Sequence, residues 1–251
     1  MSRISEVFGK RKALIPFITV GDPSISQTEK LVYDLEKAGA DIIELGVPFS
    51  DPIADGPVIQ AAHNRALKNN VSLQDAFLLA NKVSRKIKIP LVFMLSQNLI
   101  ENYGSSKFFS DCAKYGVGGV IIPDSIPDEM EEKNDSIDRI LLVSPTTNEE
   151  RIKMIAQKSS GFIYLISSAG ITGKRSKISA DVSKMAAAIK KYTNKPIAVG
   201  FGISNPAQAK EAAKHADGVI VGSALVEIIA KKQFKKAADF IKSLRRAIDA
   251  G

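Results

Sequence analysis

Ile42-Ile43-Glu44-Leu45-Gly46-Val47-Pro48-Phe49-Ser50-Asp51-Pro52-Ile53-Ala54-Asp55-Gly56-Pro57 is the stretch on which the reading of this chain turns. It opens as an apolar, β-branched run of the kind that parallel sheets bury on both faces, yet the carboxylate of Glu44 stands inside it. Two more acids, Asp51 and Asp55, follow in a loop stiffened by Pro48, Pro52 and Pro57, and helical sequence resumes from about Val58 to Asn69. Proline bracing lets a loop present acids in a fixed geometry without a metal or a disulfide.

Strand, loop and helix recur in that order on either side. Apolar strand-like runs start near residues 15, 42, 90, 118, 139, 162, 196 and 218, and helical sequence follows each. Leu14 to Val20 is closed by Gly21-Asp22-Pro23, with Ser24 or Ser26 placed to cap the next helix; Ser72 is placed to cap a helix carrying Leu73, Ala76, Phe77, Ala80 and Val83. Ile100 to Tyr115 reads as one helix, Asp128 to Asp135 as a short acidic stretch with a weak helical pattern, and Ala224 to Ile229 and Phe234 to Ile248 as closing helices. Such alternation argues parallel βαβ units. No Pro/Gly/Ser-rich linker divides the series. The expectation is therefore an α/β fold, a (β/α)₈ TIM barrel with extra short helices, as a single domain over residues 1–251; a doubly wound open sheet is the alternative.

Composition narrows the function classes. The net charge of +8 is spread thinly over predicted helices, in short pairs such as Lys231-Lys232 and Arg245-Arg246. No dense basic stripe alternates with aromatics, so the excess reads as solvated helix surface rather than a nucleic-acid footprint. The single cysteine, Cys112, excludes an intrachain disulfide and a thiolate-rich metal site and suits a reducing compartment. Neither a signal peptide nor a membrane span is indicated, and a cytoplasmic location is expected.

In a barrel of this kind the chemistry sits at the carboxyl ends of the strands. Glu44 then points into the mouth, where desolvation raises its pKa and makes it a usable proton donor near neutral pH. Asp55 can return over the same mouth, and two carboxylates in different surroundings suit acid/base work; an Asx-turn bracing the loop is the alternative for Asp55 and the stronger reading for Asp51. Glycines follow the last three strands: Gly173 after the sixth, Gly200 and Gly202 after the seventh, and Gly222 with Ser223 after the eighth, just before a helical segment. Exposed backbone N–H groups and a helix start make an anion site of the sort that holds phosphate. His63 and His215, the two histidines, fall on predicted helices and are not spaced with acids as a metal-ligand set. The strand cores contain no Schiff-base lysine, and neither a nucleophile elbow nor a nucleotide-binding P-loop is present. What survives is acid/base chemistry on a phosphorylated metabolite.

The Ile43-to-Pro57 stretch resembles the signature of the tryptophan synthase α subunit family, and the likeness continues through Pro16-Phe17-Ile18-Thr19-Val20-Gly21-Asp22-Pro23, Ala169 to Gly173, Gly200 to Ser204 and Gly222-Ser223-Ala224. The resemblance implies a metal-independent lyase of tryptophan biosynthesis that cleaves indole-3-glycerol phosphate to indole and D-glyceraldehyde 3-phosphate. It implies Glu44 as general acid at indole C3 and as base toward the C3′ hydroxyl, and Asp55 as the group that holds the indole N–H proton. Tyr164 matches the family's tyrosine near the glutamate, Thr172 the threonine that positions the aspartate, and Phe17 part of the indole pocket. Gly173, Gly202, Gly222 and Ser223 match the phosphate site. No cofactor is implied in this chain; pyridoxal phosphate would belong to the partner, a tryptophan synthase β subunit, in an α₂β₂ heterotetramer. The loop at Asp51 and Pro52 is expected to report between subunits. Ser96 stands where the family often has tyrosine, Ser125-Ile126-Pro127 departs from the usual Leu-Pro, and the amino-terminal helix looks short. A different phosphosugar barrel or a non-catalytic barrel subunit are the rival readings.

Overall fold

The computed structural model describes residues 4–52, 55–125, 136–167, 175–200 and 202–251, with only the backbone described for 175–181. The chain begins with a 3₁₀ turn at Ser5–Gly9 and continues through β1 (Ala13–Thr19), α1 (Ile25–Lys37), β2 (Ile43–Gly46), α2 (Pro57–Lys68), α3 (Leu73–Ser84) and β3 (Leu91–Met94). Then come α4 (Gln97–Tyr103), α5 (Ser105–Lys114), β4 (Val117–Ile121), β5 (Asp138–Val143), α6 (Glu149–Lys158), β6 (Ile163–Ile166) and α7 (Arg175–Lys190). Last are β7 (Ile197–Gly200), α8 (Pro206–Ala213), β8 (Gly218–Val221), α9 (Ser223–Ala230) and α10 (Phe234–Asp249).

The eight strands pair in sequence order as a closed barrel. Closure is parallel, β8 against β1, from Ala13 opposite Gly218 to Pro16 opposite Val221, which excludes the open doubly wound sheet. Every residue of β1, β2, β7 and β8 is buried, as unbroken apolar runs require when both faces are covered. Alternate side chains enter two separate cores. Leu14, Ile18, Ile43 and Leu45 pack outward beneath the helices, whereas Ala13, Ile15, Ile42, Val92, Ile121 and Ile220 fill the barrel interior.

Short polar residues cap several of the helices. Ser24 rather than Ser26 caps α1, its Oγ accepting from Gln27 N–H at 3.2 Å. Ser72 caps α3 in a capping box with Asp75. Pro57 occupies the first turn of α2, where its missing N–H is harmless. The helix expected over Ile100 to Tyr115 is two helices, α4 and α5, broken at Gly104, whose φ of 91° and ψ of 114° lie outside helical space and favour glycine. The fourth strand, expected from near residue 118, runs Val117–Ile121 and takes in Gly118 and Gly119, where the chain is close-packed: a Cβ at Gly119 would lie 2.7 Å from Ile4 Cδ1. The acidic stretch Asp128 to Asp135 lies outside the described residues.

The amino-terminal face is plugged and clamped. Ile4 is fully buried in the interior core, and Phe8 packs its ring 5.4 Å from that of Phe162. The short amino-terminal segment is thus a stopper for the barrel floor, a role not evident in its sequence. Arg245 on α10, 6% exposed, donates to Asp41 Oδ2 at 2.9 Å and to the Lys12 carbonyl at 2.9 Å. Asp41 also accepts from Leu14 N–H at 2.8 Å, so the last helix is tied to the start of the first strand. Cys112, in α5, is a buried free thiol whose pKa burial pushes up. Among the described residues no helix is long and apolar enough to cross a membrane.

Candidate active site

At the opposite face a cleft of about 410 Å³, open to solvent, lies among the ends of β1 to β4 and the loop that follows β2. Its lining includes Phe17, Phe49, Asp55, His63, Met94 and Ser96, with Asp51 and Pro52 at its edge. Glu44 lies in the strand wall below, level with Phe17 of β1 and Val92 of β3. The two-residue period puts Glu44 on the interior face with Ile42, while Ile43 and Leu45 point toward the helices. Gly46, next on the interior face, leaves the space that the Phe17 ring occupies.

Glu44 is 1% exposed, and its Oε2 has no hydrogen-bond partner among the described residues. Burial, followed by the negative charge of Asp55, raises its pKa from the ordinary 4.5 to about 8. The carboxyl group therefore holds its proton at neutral pH. Tyr164 is buried on the interior face of β6; burial first, then the charges of Glu44 and Asp55, push its phenol well above its ordinary pKa.

The Asp55 loop is anchored to α2. Asp55 N–H donates to the Pro52 carbonyl at 3.0 Å, and Gln60 Nε2 donates to the Asp55 carbonyl at 2.8 Å. His63 Nε2 stands 3.3 Å from Asp55 Oδ2. Arg65, on the same helix, makes a two-pronged pair with the buried Asp22 at 2.8 and 2.7 Å, fixing α2 to the end of β1. Asp51 is exposed and accepts from the neighbouring Ser50 hydroxyl at 2.7 Å, consistent with a loop brace. His63 is the site residue that sequence reasoning missed, because the histidines were weighed only as metal ligands. The available signal was its place on the first two turns of the helix that the acidic loop enters.

The glycines divide into two kinds. Gly200 makes room for Tyr164, since a Cβ there would lie 2.5 Å from the phenol oxygen. Gly202 has a φ of 79°, the left-handed region where glycine is favoured. Gly222 precedes α9, whose start has no side-chain cap among the described residues, and Ser223 is the first residue of that helix. A Cβ at Gly222 would meet Phe17 at 3.7 Å, and Phe17 packs with Ile59 and Ala62 of α2 and Val226 of α9. Phe17 thus joins the acid side of the mouth to the glycine side. Thr172 and Gly173 lie outside the described residues. Ser96 caps α4 and donates to Asp124 Oδ2 at 2.5 Å, bridging the ends of β3 and β4 on the cleft wall.

The family profile described as tryptophan synthase alpha chain matches residues 6–249. The chain belongs to the tryptophan synthase alpha chain family. It is 48% identical over 255 residues to the tryptophan synthase alpha chain of Dehalococcoides mccartyi, covering 99% of this chain and 100% of the relative. To that of Petrotoga mobilis it is 45% identical over 256 residues, covering 98% and 99%. Among solved structures, the tryptophan synthase subunit alpha of Legionella pneumophila superposes with a TM-score of 0.91 at 35% identity, over the full length of both chains. A chain of Mycobacterium tuberculosis tryptophan synthase gives a TM-score of 0.92 at 34% identity, over 100% of this chain and 99% of that one. The closed barrel accordingly has the fold of the tryptophan synthase alpha subunits it superposes on. Among the described residues no group of three or more His, Cys, Asp or Glu is placed to hold a metal ion.

Proposed function

We infer that the chain cleaves indole-3-glycerol phosphate to indole and D-glyceraldehyde 3-phosphate, the α-subunit step of tryptophan biosynthesis. The observation that carries the assignment of roles is the buried Glu44 carboxyl, whose Oε2 has no partner among the described residues, beneath a cleft lined by Asp55; that burial raises its pKa to about 8. Glu44 gives its proton to indole C3, leaving a 3H-indolium whose N–H⁺ faces the Asp55 carboxylate. The Glu44 carboxylate then takes the proton of the C3′ hydroxyl; the C3–C3′ electron pair returns to the ring and the aldehyde forms. One acid is thereby recovered in its starting state. Phe17 packs against the indole, and Tyr164 shapes the floor beside Glu44. Gly173, Gly202, Gly222 and Ser223 take the phosphate, and Thr172 positions Asp55.

The family membership supports a β-subunit partner carrying pyridoxal phosphate, in an α₂β₂ assembly, with Asp51 and Pro52 on the loop that reports between subunits. The same reading places the protein in the cytoplasm as one barrel domain. Indole release from indole-3-glycerol phosphate, followed with and without a β subunit, tests the activity; no release at high enzyme concentration overturns it. In the same assay Glu44→Gln should lower turnover by about 10³-fold or more while affinity for inorganic phosphate is unchanged. Near-normal turnover in that variant removes Glu44 from the mechanism.

A further inference from the structure

We propose that His63 is a positioning residue for this reaction: its ring bridges the two ends of the loop after β2 and hands a proton donor to one oxygen of Asp55, leaving the other oxygen for the substrate. The proposal rests on the role given to Asp55 above.

His63 is 4% exposed, in the second turn of α2. Its Nδ1 accepts the backbone N–H of Phe49 at 3.2 Å, at the start of the loop. A ring nitrogen that accepts carries no proton, so the neutral imidazole bears its hydrogen on Nε2. That nitrogen is 3.3 Å from Asp55 Oδ2, at the loop's end, an ion-pair distance without the alignment of a hydrogen bond. Both nitrogens thus face one loop, and the tautomer that the Phe49 contact selects carries the hydrogen that donates to the acid once the two groups align. Gln60, one turn earlier on the same helix face, holds the Asp55 carbonyl at 2.8 Å, so side chain and backbone of Asp55 are gripped from a single face of α2. A carboxylate has two oxygens; a donor held on Oδ2 would fix the plane of the group and leave Oδ1 for a substrate in the cleft that both residues line.

The test is single-turnover indole release from indole-3-glycerol phosphate by His63→Ala, His63→Gln, Asp55→Asn and the double variant His63→Ala/Asp55→Asn. His63→Ala should slow the saturated rate by roughly tenfold or more with KM within about threefold, because the phosphate is held elsewhere. His63→Gln, whose amide Nε2 can donate to the same oxygen, should recover most of the rate. In the Asp55→Asn background, removing His63 should slow the reaction no further than about twofold, since a residue acting through Asp55 has nothing left to act on. A full additional loss in that background, a His63→Ala rate near wild type, or a Gln variant as slow as Ala each overturns the proposal. If His63→Ala does not fold, His63→Leu, which fills the space and cannot donate, replaces it alone and with Asp55→Asn by the same criteria. A wild-type rate for Asp55→Asn itself refutes the assignment of Asp55, an outcome distinct from a failure at His63 alone.

Discussion

Replacing Glu44 by Gln should make the protein less sensitive to alkaline pH. The folded protein holds the Glu44 proton up to about pH 8, whereas the unfolded chain releases it near 4.5. Its contribution to stability is complete below the unfolded value and is lost as pH rises through the folded one. Between those limits the unfolded state binds fewer protons, so raising the pH favours unfolding. At about 1.4 kcal/mol per pH unit the burden of the ionised group reaches on the order of 5 kcal/mol, of which about 3 kcal/mol accrues between pH 5 and pH 7.5. Gln has nearly the same shape and no charge to release. Wild type and Glu44→Gln should therefore melt close together at pH 5, and the variant should exceed the wild type by about 6–12 °C at pH 7.5, taking 2–4 °C per kcal/mol for a chain of this size. Thermal melts of both proteins in matched buffers at the two pH values measure the difference. Parallel pH profiles, with the gap between the proteins constant within about 1 °C, would refute the reasoning that burial keeps this carboxyl protonated.

Gly200→Ala places a methyl against the Tyr164 phenol, 2.5 Å from its oxygen, and should lower both stability, by about 1–3 kcal/mol in urea unfolding, and turnover; Tyr164→Phe in the same background should relieve part of the stability loss. Arg65→Ala leaves the Asp22 carboxylate, 3% exposed, without its two-pronged partner and should destabilise by about 2–3 kcal/mol in denaturant titration, with a fall in turnover because α2 carries the grip on Asp55. Ile4→Ala opens a hole in the barrel floor and should cost roughly 2–4 kcal/mol of stability while the rate of indole release at 25 °C changes less than twofold. A rate loss there comparable to that of the mouth variants would show that floor and mouth are coupled.

Much of the fold and part of the site were legible in order and composition alone. Eight apolar runs, each followed by an amphipathic helix and none separated by a linker, leave few architectures that cover both faces of a parallel sheet. Glu44 could be singled out because a charged residue in such a run is expensive unless it has a task. Local chemistry also sufficed for the cap at Ser72 and narrowed that of α1 to Ser24 or Ser26, since a capping oxygen needs only the backbone three residues on. What escaped was of two kinds. Gly104 breaks a helix that periodicity alone would continue, since the apolar positions of α4 and α5 share one spacing. Gly200 looked like its neighbour Gly202, and only the ring of Tyr164 across the barrel separates a packing glycine from one at a left-handed turn.

The sequence by itself determined the alternation, the buried acid and the proline-braced loop, because each depends on residues adjacent or one turn apart. Tertiary structure alone decided which groups share a site. His63 meets Asp55 and Phe49 because α2 folds back over the loop it follows, Arg65 meets Asp22 across 43 positions, and Arg245 meets Asp41 across 204. Those contacts follow from closing the barrel, which converts distance along the chain into proximity around a ring. No local pattern records that closure, and the pKa of Glu44 depends on it, since only the closed wall removes the carboxyl from water and brings Asp55 above it.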